Sequence, residues 1–109
     1  DHAYSRGLGD VYKRQPYVRN YVTSEFHLYV IHTEHRDDLL NYLNNNGISS
    51  GLHYPIPIHL QKAYKHLNYK IGDFPITEKN TKECLSLPLY PEMTDEQVNL
   101  VISKIKSFF

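Results

Sequence analysis

The last sixteen residues constrain the architecture more than any other segment. Thr94 and Gln97 stand at the spacing of a capping box, and Met93 precedes them where it staples onto Val98. Val98, Val101, Ile102, Ile105 and Phe109 then recur at helical spacing, while Glu96, Asn99, Ser103, Lys104 and Lys106 fall on the opposite face. A helix with one apolar stripe must bury it against another layer, so the pattern predicts a closing helix that covers a sheet.

The sheet is expected from two segments. Phe26-His27-Leu28-Tyr29-Val30-Ile31 is β-branched and aromatic, bounded by polar residues, and apolar on both faces, which predicts a strand covered on two sides. Leu85-Ser86-Leu87-Pro88 is the second extended segment, and Pro88 with Pro91 keeps Leu89 and Tyr90 out of a central strand. Between them, residues 34–46 read as a helix with Glu34, Asp37 and Asp38 in its first turns and Leu39, Leu40 and Leu43 as its stripe. Gly47 stops this helix in a left-handed cap, and Ile48 folds back on the stripe. Residues 48–52 run extended. Leu60, Ala63, Tyr64 and Leu67 predict a short helix over residues 59–67, and Thr77 is placed to cap another that runs to Cys84. The whole is an α+β layer, a short and mostly antiparallel sheet covered by helices, without internal repeat.

The first fifteen residues stand apart. Ser5-Arg6-Gly7-Leu8-Gly9-Asp10-Val11-Tyr12-Lys13-Arg14-Gln15 reads as a translated transposase sequencing adapter, with Asp10 to Gln15 matching GAT GTG TAT AAG AGA CAG. Such foreign segments are set aside in fold reasoning, so residues 1–15 are expected to be an artefact and disordered, and residues 16–109 to be one small domain truncated at Pro16.

Charge narrows the partners. Twelve basic and twelve acidic residues give no net charge, and the balance stays nearly neutral without residues 1–15. No basic stripe supplies the footprint of nucleic-acid or anionic-membrane binding, so neither partner is expected. Cys84 is the only cysteine, and the sequence holds no secretory signal and no apolar run of membrane length; a cytoplasmic location is the expectation.

The chemistry concentrates in His53-Tyr54-Pro55-Ile56-Pro57-Ile58-His59-Leu60-Gln61. Each proline fixes its own φ and holds the preceding residue extended, which makes a stiff arm. Its imidazoles, phenol and amide can donate to and accept from hydroxyls and phosphate oxygens, and Tyr54 can also stack on a ring. On the residues alone, a ligand-contacting arm and a merely exposed Pro-rich loop both stay open. No nucleophile motif, Gly-rich phosphate loop or paired carboxylates accompany it, and the histidine pairs lack the further ligand that a metal site requires.

The ordered blocks Phe26-His27-Leu28-Tyr29-Val30-Ile31, Arg36-Asp37-Asp38-Leu39, Gly47-Ile48, the arm, Gly72-Asp73-Phe74-Pro75, Glu78, Leu85-Ser86-Leu87-Pro88 and Pro91 resemble the C-terminal domain of the DegT/DnrJ/EryC1/StrS family of sugar aminotransferases. His32 departs from that pattern, standing where many relatives carry a basic residue. The resemblance implies a fold type I enzyme dependent on pyridoxal 5′-phosphate, whose Schiff-base lysine and pyridine-pairing carboxylate lie in an N-terminal domain outside this chain. It implies a homodimer that aminates a nucleotide-linked keto-sugar, a dTDP-linked 3-keto or 4-keto deoxyhexose, from an amino-acid donor such as glutamate, in amino-sugar or cell-surface polysaccharide biosynthesis. This chain would form one wall of the cleft, with His53 and Tyr54 on the sugar or diphosphate, His59 and His27 behind them, and Gln61 beside them. No catalytic residue, cofactor ligand or metal ligand is expected here, and the chain alone is expected to be inactive. Two other readings stay open: a dehydratase of the same superfamily, and a non-catalytic module that binds sugar nucleotides.

Overall fold

The computed structural model describes residues 3–8, 15–24 and 26–109. Its elements are α1 (Ala3–Leu8), β1 (Tyr29–His32), α2 (Arg36–Asn45), two short 3-10 helices (Ile58–Leu60 and Lys62–Leu67), α3 (Pro75–Glu83), β2 (Cys84–Leu87) and α4 (Asp95–Phe108). The class is α+β, as expected.

β1 and β2 pair antiparallel, Tyr29 opposite Leu87 and His32 opposite Cys84. Gly51 bridges the other edge of β2 through two backbone bonds with Ser86, of 3.0 and 2.9 Å. β2 therefore runs between β1 and the segment that leads into the Pro-rich arm. β1 is shorter than predicted. Phe26 has φ +34°, a left-handed value that a strand cannot continue through, and its ring turns onto Tyr29 with centroids 5.2 Å apart. One face of β1 is fully buried through Tyr29 and Ile31, and the other only half covered through Val30 and His32.

α4 forms as its sequence dictates. The Thr94 Oγ1 accepts from the Gln97 N–H at 3.2 Å, and Gln97 Oε1 accepts from the Thr94 N–H at 2.9 Å. Val98, Val101, Ile102 and Ile105 are buried against Tyr29, Ile31, Leu39, Leu43, Ile48, Leu85 and Leu87, with Met93 and Phe109 half-buried at the margin. α2 begins two residues later than predicted, and ends in a Schellman motif. Gly47 adopts φ +76°, its N–H donates to the Asn44 carbonyl at 3.2 Å, and the Ile48 N–H donates to Leu43 at 2.9 Å. Arg36, in the first turn of α2 and nearly buried, donates from Nη1 to the carbonyls of Thr81 (2.9 Å) and Cys84 (3.1 Å). It thereby caps the end of α3 and ties two layers together.

Three expectations are corrected. The helix over 59–67 is two 3-10 pieces separated at Gln61, which is extended (φ −70°, ψ 144°); of the proposed stripe only Leu60 is half-buried, while Ala63, Tyr64 and Leu67 are exposed. α3 starts at Pro75 with Phe74 at its N-cap, because proline suits the first helical turn, and not at a Thr77 cap. The disorder expected of residues 1–15 fails at α1. Tyr4 and Leu8 are buried in the core, the Tyr4 hydroxyl donates to the Pro88 carbonyl at 2.6 Å, and Gly7 packs directly on Ile102, leaving no room for a Cβ. Gln15 accepts from the Tyr29 hydroxyl at 2.9 Å. Most of the remainder of that segment lies outside the described residues. Among the described residues, no helix is long and apolar enough to cross a membrane.

Candidate functional site

The Gly51–Ser86 bridge sets where the arm leaves the sheet. Two residues past Gly51, the His53 carbonyl accepts from the Cys84 thiol with sulfur 3.7 Å away, and the His53 Nδ1 lies 2.8 Å from the Ser86 Oγ. The His53 ring passes over Gly51, whose missing side chain leaves it space; a Cβ there would lie 3.1 Å from the ring's Cε1. His53 is exposed on its far side, and Tyr54 meets it edge-on with ring centroids 6.4 Å apart. Tyr54 is 76% exposed. These two side chains lead the arm.

Beyond them, Pro55 and Pro57 hold Ile56 and Ile58 out toward solvent. His59 turns the other way. Its ring is buried, edge-on to Phe74 at 4.8 Å and Tyr69 at 6.5 Å, with Nε2 3.5 Å from Glu78 Oε2. Glu78, in the first turn of α3, accepts from the Gly72 N–H at 2.9 and 3.0 Å and from the Phe74 N–H at 3.2 Å. Those backbone donors, Gly72 first, hold its carboxyl below the usual carboxylate range against a smaller opposing effect of burial, with His59 adding to the lowering. His59 and Glu78 thus pin the far end of the arm to the 69–74 loop, where Asn68 (φ +61°) and Gly72 (φ +98°) make the reversals.

The five residues singled out from the sequence do not converge on one point. His53 and Tyr54 are side by side and exposed. His59 sits beneath the arm, and Gln61 is half-buried between the two 3-10 helices. His27 is exposed and precedes β1 at the end that pairs with Leu87, whereas His53 lies by Cys84 and Ser86. The two therefore lie toward opposite ends of the short sheet. Ser86 and Gly51, which hold the His53 ring, carried no individual signal beyond a serine between two leucines on a buried strand.

The described residues do not fit a pyridoxal phosphate anchor. Every described lysine is exposed except Lys104, half-buried on α4, so none has the desolvated setting that makes a lysine amine a nucleophile at neutral pH. No group of three metal-ligating side chains occurs among the described residues.

A family model described as the DegT/DnrJ/EryC1/StrS aminotransferase family matches residues 2–106. The "Pleiotropic regulatory protein" of Geobacillus stearothermophilus is 44% identical over 84 residues, 77% of this chain and 23% of that protein. The dTDP-3-amino-3,6-dideoxy-alpha-D-galactopyranose transaminase of Aneurinibacillus thermoaerophilus is 36% identical over 83 residues, 76% of this chain and 22% of that protein. Among solved structures, S. venezuelae DesV in complex with a ketimine intermediate superposes with a TM-score of 0.90 at 31% identity, over 96% of this chain and 29% of that one. The chain spans about a quarter of the length of the relatives it matches.

Proposed function

The chain belongs to the DegT/DnrJ/EryC1/StrS aminotransferase family, and on that premise we propose that residues 16–109 form the C-terminal domain of a cytoplasmic sugar aminotransferase. The enzyme transfers an amino group from a donor such as glutamate to a nucleotide-linked keto-deoxyhexose, and a dTDP-linked 3-keto sugar is the first candidate. Support for that sugar comes from relatives with dTDP-3-amino-sugar transaminase names.

The observation that carries this reading is the construction of the arm. Its leading pair, His53 and Tyr54, is exposed and held from behind, His53 by Ser86 and the far end of the arm by His59 and Glu78. A stiff arm with polar tips loses little conformational entropy when it meets a polar ligand, which is how a cleft wall gains affinity. Its chemistry is recognition of oxygen acceptors. Since no described lysine is desolvated, we assign cofactor attachment and the proton transfers of transamination to the part of the enzyme outside this chain. Residues 1–15 are read as foreign to the natural protein, and the exposed Ile56, Ile58, Ile71 and Ile76 are read as apolar surface that the homodimer covers.

Kinetics on the enzyme expressed from the continuous reading frame test this proposal. Replacing His53 with Ala should raise KM for the dTDP-sugar by about tenfold or more, the worth of one hydrogen bond to a charged or strongly polar group, with a smaller change in kcat. An unchanged KM in both His53→Ala and Tyr54→Ala would remove the arm from the binding site. Formation of a dehydrated sugar without amination would replace the aminotransferase with the dehydratase.

A further inference from the structure

We propose that Ser86 is a positioning residue that locks His53 as a hydrogen-bond donor, so that the group His53 meets on a bound ligand is an oxygen acceptor. This inference rests on the reading of the arm as a substrate contact, and adds to it the direction of the bond.

The donors and acceptors at the Ser86–His53 contact fix its direction. Ser86 is buried, 4% exposed, on a strand whose backbone is paired on both sides. Among the described residues, the only partner of its hydroxyl is the His53 Nδ1 at 2.8 Å. If Nδ1 carried the proton and donated to Oγ, the serine's own proton would be left without an acceptor in a buried position, and an unmade bond there is costly. The satisfied arrangement is the reverse. The hydroxyl donates to Nδ1, the ring proton resides on Nε2, and Nε2–H, on an exposed residue, has no protein partner among the described residues. Protonation of the ring leaves the outward edge unaltered, because the imidazolium also carries a proton on Nε2. His53 is therefore an N–H donor in either charge state, suited to a diphosphate or sugar oxygen and unsuited to removing a proton from carbon. Gly51 supports the same geometry from below, since a side chain there would press on the ring at Cε1.

The test has two arms. Long-range proton–nitrogen NMR on the 109-residue chain labelled at histidine nitrogen, at a pH where the imidazoles are neutral, reports the tautomer directly. The expected result is Nε2–H in the parent chain, a mixed population in Ser86→Ala, and restoration in Ser86→Thr; Gly51→Ala disturbs the same signals without touching the hydroxyl. A parent chain with the proton on Nδ1, or a Ser86→Ala variant with an unchanged tautomer ratio, would overturn the proposal. The second arm is a double-mutant cycle on the continuous-frame enzyme, reading KM for the dTDP-sugar. Ser86→Ala should raise KM about threefold to tenfold in the parent and have no further effect in His53→Ala. Independent, multiplying effects would overturn the positioning role. A normal KM in both His53→Ala and Tyr54→Ala would instead overturn the underlying reading of the arm, with the NMR result still deciding Ser86.

Discussion

Arg36 shows how one side chain decides the relation between layers. Its guanidinium is nearly buried and donates to two carbonyls, of Thr81 and Cys84, at the junction of α3 and β2, while Nε pairs with Asp37 at 2.6 Å. Truncating it leaves those buried carbonyls unpaired, so Arg36→Ala should destabilise the chain by about 2–3 kcal/mol, read as a lower urea midpoint with an unchanged slope. Lysine should rescue only part of this, because a single ammonium cannot reproduce the planar fork. Glu78 gives a prediction in pH. Its folded-state pKa is depressed below the ordinary 4.5 by the Gly72 N–H first. A carboxyl of this kind contributes stability that is fully present above its unfolded value and is lost as pH falls through the lowered one. The parent chain should therefore lose stability below about pH 4.5, and Glu78→Gln should flatten that acid limb. An acid limb identical in the two proteins would contradict the role given to Glu78.

Among the elements, α4 and the end of α2 were legible because their signals are local. A capping box, a 3.6-residue stripe and an Asn-Gly cap each act within a few residues and need no tertiary context. Thr94→Ala should cost about 1 kcal/mol, and Ile105→Ala, at a fully buried position, about 2–5 kcal/mol, both readable by thermal or urea unfolding. The short strand and the broken helix over 59–67 were misread because their limits come from elsewhere. Phe26 leaves the strand to place its ring on Tyr29, and the residues of the 3-10 segment follow an arm fixed by two prolines and by Glu78. α1 was missed for a different reason. Tyr4 and Leu8 lie in the segment set aside as a translated adapter, so their four-residue spacing carried no weight, yet the pair fills the surface of α4 beside Ile102. Leu8→Ala should lower stability measurably; no effect would place α1 outside the cooperative unit.

At the scale of the whole molecule, the α+β class was readable in the sequence, but not which of the five candidate residues lie together. His27, His53 and His59 looked alike as histidines, and only the register of β1 on β2 and the inward turn of His59 separate their surroundings. Ser86 and Gly51 matter because a backbone bridge brings two distant segments together, which no local pattern announces. The central claim is that this chain is the sugar-facing end of a larger cofactor-dependent enzyme, and by that account the isolated chain gives no transamination. The most direct measurement is to sequence the source DNA across the Gln15–Pro16 codons without a transposase adapter and to express and assay what lies in frame. The account predicts an open frame upstream that carries a buried cofactor lysine and yields glutamate-dependent amination of a dTDP-keto-deoxyhexose. A start codon immediately before Pro16, or an upstream frame whose product aminates no sugar nucleotide, would contradict it.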